Sequence, residues 1–154
     1  MLKKILVANR GEKACRIFAT AKRLGISTVA VYSEIDKESL HVSMADEAIM
    51  IGPAPATESY LSIEKIVQAC KESGADSVHP GYGFLSENAN FRDALDEANI
   101  IFIGPEKLAI ESMGDKITSK LIAEKAGVTV IPGYTDVVID ADHAASVGRE
   151  IGYP

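Results

Sequence analysis

The stretch HPGYGFLSENANF, residues 79–91, sets Gly81 and Gly83 on either side of Tyr82, directly after a proline. Glycine lets a backbone take positive φ or approach a ligand closely. Tyrosine adds an apolar ring and a hydroxyl, a combination suited to a flat polar heterocycle. Glu87 and Asn88 are placed to bond the free amides at the start of a following helix. Phe84 reads as a packing residue that plugs the end of a sheet. A second polar cluster, Asn9–Arg10–Gly11–Glu12, follows the apolar run Ile5–Ala8. Lys116 and Lys120 lie beside Met113–Gly114–Asp115 at a helix start. On spacing alone they form a solvated helix face, although an ammonium on a flexible stem can meet a phosphate as a point charge.

Other chemistries are not supported. The first strand–helix turn reads A-N-R-G-E-K, without the G-x-G-x-x-G of a dinucleotide site, and no G-x-x-x-x-G-K-[ST] occurs. Glu34 and Asp36 stand roughly where a ribose-binding acid would, but without the phosphate turn that signal is weak. His41 and His143 have no acid–base partner visible in the sequence, and neither HExxH nor a nucleophile elbow is present. No metal site is predicted.

These residues need a frame. Five β-rich runs are predicted: Ile5–Ala8, Thr28–Tyr32, Ala48–Ile51, Ser77–His79 and Ile100–Ile103. The first, second and fifth lack polar alternation, as strands covered on both faces do in a parallel sheet. Helices are predicted between them. Residues 11–24 carry Ala14, Ile17, Phe18, Ala21 and Leu24 at helical spacing, before Gly25. Residues 61–73 end at Gly74, and 88–98 carry Phe91, Leu95 and Ala98. The alternation predicts an α/β fold with an open, mostly parallel, Rossmann-like sheet flanked by helices, and analogy with doubly wound folds suggests the strand order 3-2-1-4-5. Ligands of such sheets gather at the carboxyl ends of the strands where the order reverses, here between strands 1 and 4. Asn9, Arg10 and Gly11 would then face Gly81–Gly83 across a crevice. From residue 107 the pattern changes to helices at 107–113, 116–125 and 141–150, the last two capped by Asp115 and Asp140. Residues 1–113 are therefore expected to form one domain and 114–154 a helical linker. The closing IGYP reads as a chain leaving a helix for a strand, as if cut there.

The 154 residues carry a net charge of −6 from 22 acidic and 16 basic side chains, which argues against nucleic acid as a partner. No run approaches the roughly 20 apolar residues of a membrane span. The first apolar run is too short for the core of a signal peptide. Cys15 and Cys70 do not form a CxxC pair and read as small hydrophobes in a reducing compartment. A cytoplasmic protein is expected, or one in an organelle matrix after loss of a presequence.

ILVANRGE, HVSMADEA, IGPAP, SYL, HPGYGFLSEN, FIGP, MGDKI and IGYP occur here in an order and spacing that resemble biotin carboxylases along the whole chain. MGDKITSK and REIGYP resemble the α subunits of propionyl-CoA and related acyl-CoA carboxylases, with pyruvate carboxylase next. The resemblance implies a pre-ATP-grasp domain joined to an ATP-grasp remainder. It implies a ligase reaction in which ATP activates bicarbonate and the carboxyl group passes to biotin on a carrier domain, before a separate carboxyltransferase uses it. Lys116 matches a lysine that contacts ATP. Tyr82, with Gly81, Gly83 and Glu87 around it, matches the biotin and bicarbonate side of the crevice. Arg16 matches a residue of the dimer interface in the free-standing bacterial enzymes.

ATP, Mg²⁺ and biotin are thus implied for the full-length enzyme, and none is expected to bind this piece tightly. The Gly-rich lid and metal-binding acids of the family have no counterpart here, so residues 1–154 alone are expected to be inert. Two positions depart from the family. Lys13 stands where an apolar residue is usual, and a cation in a first helical turn opposes the dipole, so Lys13→Ile is expected to stabilise. Ala19 and Arg23 replace a charged pair of the bacterial enzymes, which puts their dimer in doubt. A non-catalytic interaction module is the alternative of another class.

Overall fold

The computed structural model describes residues 1–153, so Pro154 of the IGYP segment lies outside it. The chain divides into two compact units, one ending at Lys107 and the other beginning at Leu108.

The first unit holds five strands, β1 (Lys4–Val7), β2 (Ser27–Ser33), β3 (Glu47–Gly52), β4 (Ser77–His79) and β5 (Ile101–Phe102). They form one sheet in the order β3-β2-β1-β4-β5, and every pairing is parallel. The sheet matches the expected order strand for strand. Helices α1 (Gly11–Arg23), α2 (Leu40–Met44), α3 (Ile63–Ser73) and α4 (Ala89–Glu97) connect the strands, with 3₁₀ turns at Glu34–Asp36 and Ala56–Glu58. The five-residue α2 and both 3₁₀ turns are too short to show a period in the sequence.

Burial explains the pattern. Leu6, Val7, Val29, Val31 and Val78 are fully buried, because a parallel sheet is covered on both faces. From α1, Ala14, Phe18 and Ala21 pack with Ile5, Val7 and Ala30. From α3, Ile66, Ala69 and Cys70 are buried, and from α4, Phe91 and Leu95. Phe91 meets Phe102 of β5 edge to face, ring centroids 6.1 Å apart. Burial pushes the Cys70 thiol up to about 12, consistent with a structural residue, whereas Cys15 is half-buried. The helix ends obey local rules. Asn88 Oδ1 accepts from the Phe91 amide at 3.0 Å, and Gly74 closes α3 in the left-handed conformation.

The amino-terminal rim of the sheet is tied by side chains. Asp76 accepts from the Lys3 amide at 2.8 Å and the Lys4 amide at 3.3 Å. Lys4 Nζ reaches Glu47 at 2.6 Å and the Ser73 carbonyl at 2.8 Å.

The second unit contains most of α5 (Lys107–Gly114), then α6 (Lys116–Lys125) and α7 (Ala141–Ile151). Asp115 caps α6 through the Thr118 amide, and Asp140 caps α7 through the His143 amide, each at 2.7 Å. Leu108, Ile131, Val137 and Ile139 are all exposed.

Candidate functional site

The reversal of strand order between β1 and β4 leaves their carboxyl ends as neighbours. The Ala8 amide still donates to the His79 carbonyl at 2.9 Å, so the two following loops begin side by side. Asn9 is fully buried between them. Its Nδ2 donates to the carbonyls of Pro80 (2.9 Å) and Tyr82 (3.0 Å), while its Oδ1 accepts from the Arg10 amide (3.0 Å). Three backbone groups of two loops are thus satisfied by one amide. Gly81 fits against it with φ of +68°, and a Cβ there would lie 2.6 Å from Asn9 Nδ2. Only glycine suits that contact and that backbone. The Gly81 amide donates to His79 Nδ1 at 3.0 Å, which leaves the ring proton on Nε2. Burial holds His79 below the usual histidine range.

Beyond this seam the loop turns outward. Tyr82 is 58% exposed. Its hydroxyl donates to Glu12 Oε1 at 3.2 Å, and desolvation and that carboxylate raise its phenol above the ordinary value. Tyr82, Gly81 and His79 line a groove of about 510 Å³ together with Glu12, Lys13, Arg16 and Ile17 of α1. A second groove of about 510 Å³ shares Arg16, Ile17 and His79 and continues over Ile5, Ala21, Leu24 and Ile103. Arg16 is exposed, with its guanidinium on Thr20 Oγ1 at 2.5 Å.

Lys13, poorly placed for the helix dipole, has partners here. Its Nζ donates to the Tyr82 carbonyl at 3.1 Å and lies 3.9 Å from the centroid of the Tyr82 ring. These contacts act against the unfavourable dipole, and an isoleucine would lack them.

Arg10 turns the other way. Its Nη2 meets Asp36 Oδ1 at 2.6 Å. Asp36, 3% exposed, also accepts from the Tyr60 hydroxyl (2.7 Å) and Ser33 Oγ (3.0 Å). The Tyr60 oxygen in turn accepts from the Ser33 amide at 3.0 Å. Burial alone would raise the Asp36 carboxyl, but the hydrogen bonds from Tyr60 and Ser33 and the Arg10 charge outweigh it and hold the group below its ordinary value. Burial and the same carboxylate push Tyr60 up to about 12. Asp36 is therefore a structural anchor and not a ribose acid. Phe84, at φ +46°, stacks on Tyr60 with centroids 5.1 Å apart, the packing role expected of it. Tyr60 was within the SYL motif, but nothing in the sequence paired it with residues 24 and 27 positions away.

Glu87 is exposed, and Asn88, not Glu87, makes the cap of α4. Gly83 is at φ +70°. Gly11, at φ +64°, opens α1 with no side-chain cap on it. Lys116 stands exposed at the first position of α6 in the second unit. Among the described residues no group of three His, Cys, Asp or Glu could hold a metal ion, and no helix is long and apolar enough to cross a membrane.

Known proteins resemble this arrangement closely. Residues 1–110 match the family described as biotin carboxylase, N-terminal domain. The chain is 58% identical, over its whole length, to the propionyl-CoA carboxylase alpha chain of Ruegeria pomeroyi, of which it covers 23%. It is 56% identical, over 98% of its length, to the mitochondrial propionyl-CoA carboxylase alpha chain of Homo sapiens, covering 21% of that protein. The biotin carboxylase domain dimer of 2-oxoglutarate carboxylase from Hydrogenobacter thermophilus, solved with MgADP, ADP and bicarbonate, superposes with a TM-score of 0.91 at 51% identity. That match covers all of this chain and 34% of the other. The chain thus spans less than a quarter of the curated relatives it matches.

Proposed function

The chain belongs to the biotin carboxylase family through its amino-terminal domain, and from that premise we propose that it forms the crevice wall of a biotin carboxylase in an acyl-CoA carboxylase α chain. The observation that carries the reading is Tyr82, an exposed ring whose carbonyl Asn9 holds beside the groove at the β1–β4 divide. The ring offers a flat face to the ureido group of biotin, and Arg16 supplies positive charge for bicarbonate. Gly81 and Gly83 keep the backbone low enough for that approach.

The reaction is the ATP- and bicarbonate-dependent carboxylation of carrier-bound biotin. Phosphoryl chemistry requires cations around the transferring group. Here the only matched donor is Lys116, exposed at a helix start. The donor set does not fit Mg²⁺, since no acid cluster among the described residues could bind it. We assign the metal and most ATP contacts to the remaining three-quarters of the relatives' length, and the 154 residues alone to an inactive state. The partners are that ATP-grasp remainder, the biotin carrier domain and a carboxyltransferase subunit. The mitochondrial relative favours an organelle matrix if the source has one.

Tyr82→Ala in the full-length carboxylase tests the reading. Biotin-dependent ATP turnover is expected to fall at least about 10-fold, the scale of one lost ring contact. Turnover at the parental rate would instead support a module that binds a protein partner.

A further inference from the structure

We infer that Lys13 is a positioning residue for biotin carboxylation in this protein, a cation that holds the Tyr82 ring in one orientation over the groove. The inference rests on the proposed role of Tyr82. Its own observation is that a single ammonium contacts both ends of one residue. Lys13 Nζ donates to the Tyr82 carbonyl at 3.1 Å and lies 3.9 Å from the centroid of the ring of the same tyrosine. The Phe84 ring is next, at 6.0 Å.

A ring on an exposed loop has rotamer freedom about χ1 and χ2 that a ligand would have to remove. Four contacts, two on the backbone carbonyl and two on the side chain, restrict it beforehand. The buried Asn9 amide and Lys13 share the Tyr82 carbonyl, which fixes the loop backbone. The hydroxyl on Glu12 fixes the far end of the ring. The Lys13 charge holds the face between them, because an ammonium is attracted to the centre of an aromatic face. Glu12 and Lys13 are adjacent in the first turn of α1, so one rigid helix end carries both grips. The ring stays 58% exposed beside the groove.

The test uses the full-length carboxylase, with free biotin as the varied substrate. Lys13→Met keeps the length of the stem and removes the charge. It is expected to lower kcat/KM for biotin by about 3- to 10-fold, mostly through KM, with the KM for ATP unchanged. Lys13→Arg, whose planar cation can stack on the same face, is expected to recover at least half of the parental value. Equal kcat/KM for Lys13→Met and parent would overturn the inference, as would an arginine variant no better than methionine. A shift in the melting temperature with biotin kinetics unchanged would show a structural role only. Tyr82→Ala separates the two levels. If it abolishes turnover while Lys13→Met is silent, only the positioning role falls. If Tyr82→Ala is itself silent, the reading of the groove falls and Lys13 with it.

Discussion

Two tyrosines stand at the carboxyl rim of this sheet, and they are held in opposite ways. Tyr60 is 2% exposed and sits inside a closed network of Asp36, Ser33 and Arg10. Tyr82 is 58% exposed and is gripped by partners that are themselves open to solvent, Glu12 and Lys13. The first arrangement satisfies every polar group it buries and leaves none for a ligand. The second leaves an exposed ring and the Arg16 guanidinium beside an open groove. The rim divides closure and openness between two loops, and the buried Asn9 amide, holding the Arg10 amide on one side and the Tyr82 carbonyl on the other, links them.

The largest expected effect lies on the closed side. Asp36→Ala strips Arg10, Tyr60 and Ser33 of a shared acceptor and is expected to cost about 3 kcal/mol by urea unfolding. A cost below about 1 kcal/mol, the usual value for an exposed pair, would erase the distinction between the two tyrosines.

The join between them comes next. Gly81→Ala places a Cβ 2.6 Å from Asn9 Nδ2 at φ +68°. About 2 kcal/mol is expected, from backbone strain plus the displaced amide. A calorimetric Tm equal to that of the parent would mean that the amide is not clamped.

The smallest effect is one of pH. Each side holds a histidine that burial keeps below 6.5, His41 under the closed network and His79 beneath the groove. His41 is fully buried, its Nε2 is 3.3 Å from the Val31 carbonyl, and among the described residues its Nδ1 has no hydrogen-bond partner. The Asp36 charge favours its protonation and the Arg10 charge opposes it. Since both folded values are depressed, the unfolded chain takes up protons first as pH falls. Stability is therefore complete above 6.5 and declines below it, toward the lower folded values. The expected loss is about 1 kcal/mol between pH 7 and 6, read from urea midpoints. A midpoint that stays level to pH 5.5 would contradict both burials at once.

Much of this frame was legible in the sequence. Parallel strands covered on both faces are apolar without alternation, as at Ile5–Ala8 and Thr28–Tyr32. Gly25 and Gly74 marked helix ends, and Asp115 and Asp140 marked helix starts. The strand order came from the analogy with doubly wound folds, and the sheet matches it, with the crevice between β1 and β4. Side-chain partnerships across loops were not legible. Asp36 looked like a free acid because Arg10 and Tyr60 lie 26 and 24 residues away. Lys13 looked misplaced for a related reason. The dipole acting on it is local, at roughly 0.3–1 kcal/mol, whereas the carbonyl it bonds is 69 residues distant. Local rules see the cost of such a residue and miss its compensation.

The reach of Asn9 also bears on synthesis. Pro80, whose carbonyl it grips, follows 71 residues later. At about 5 to 20 residues per second a ribosome needs roughly 4 to 14 seconds to add that stretch. Throughout this interval β1 can pair with β2 but has a bare flank where β4 will dock, and the amide meant for the seam faces water. The wall of the groove can therefore close only after β4 has emerged to dock beside β1, and only β5 of the sheet is still to come.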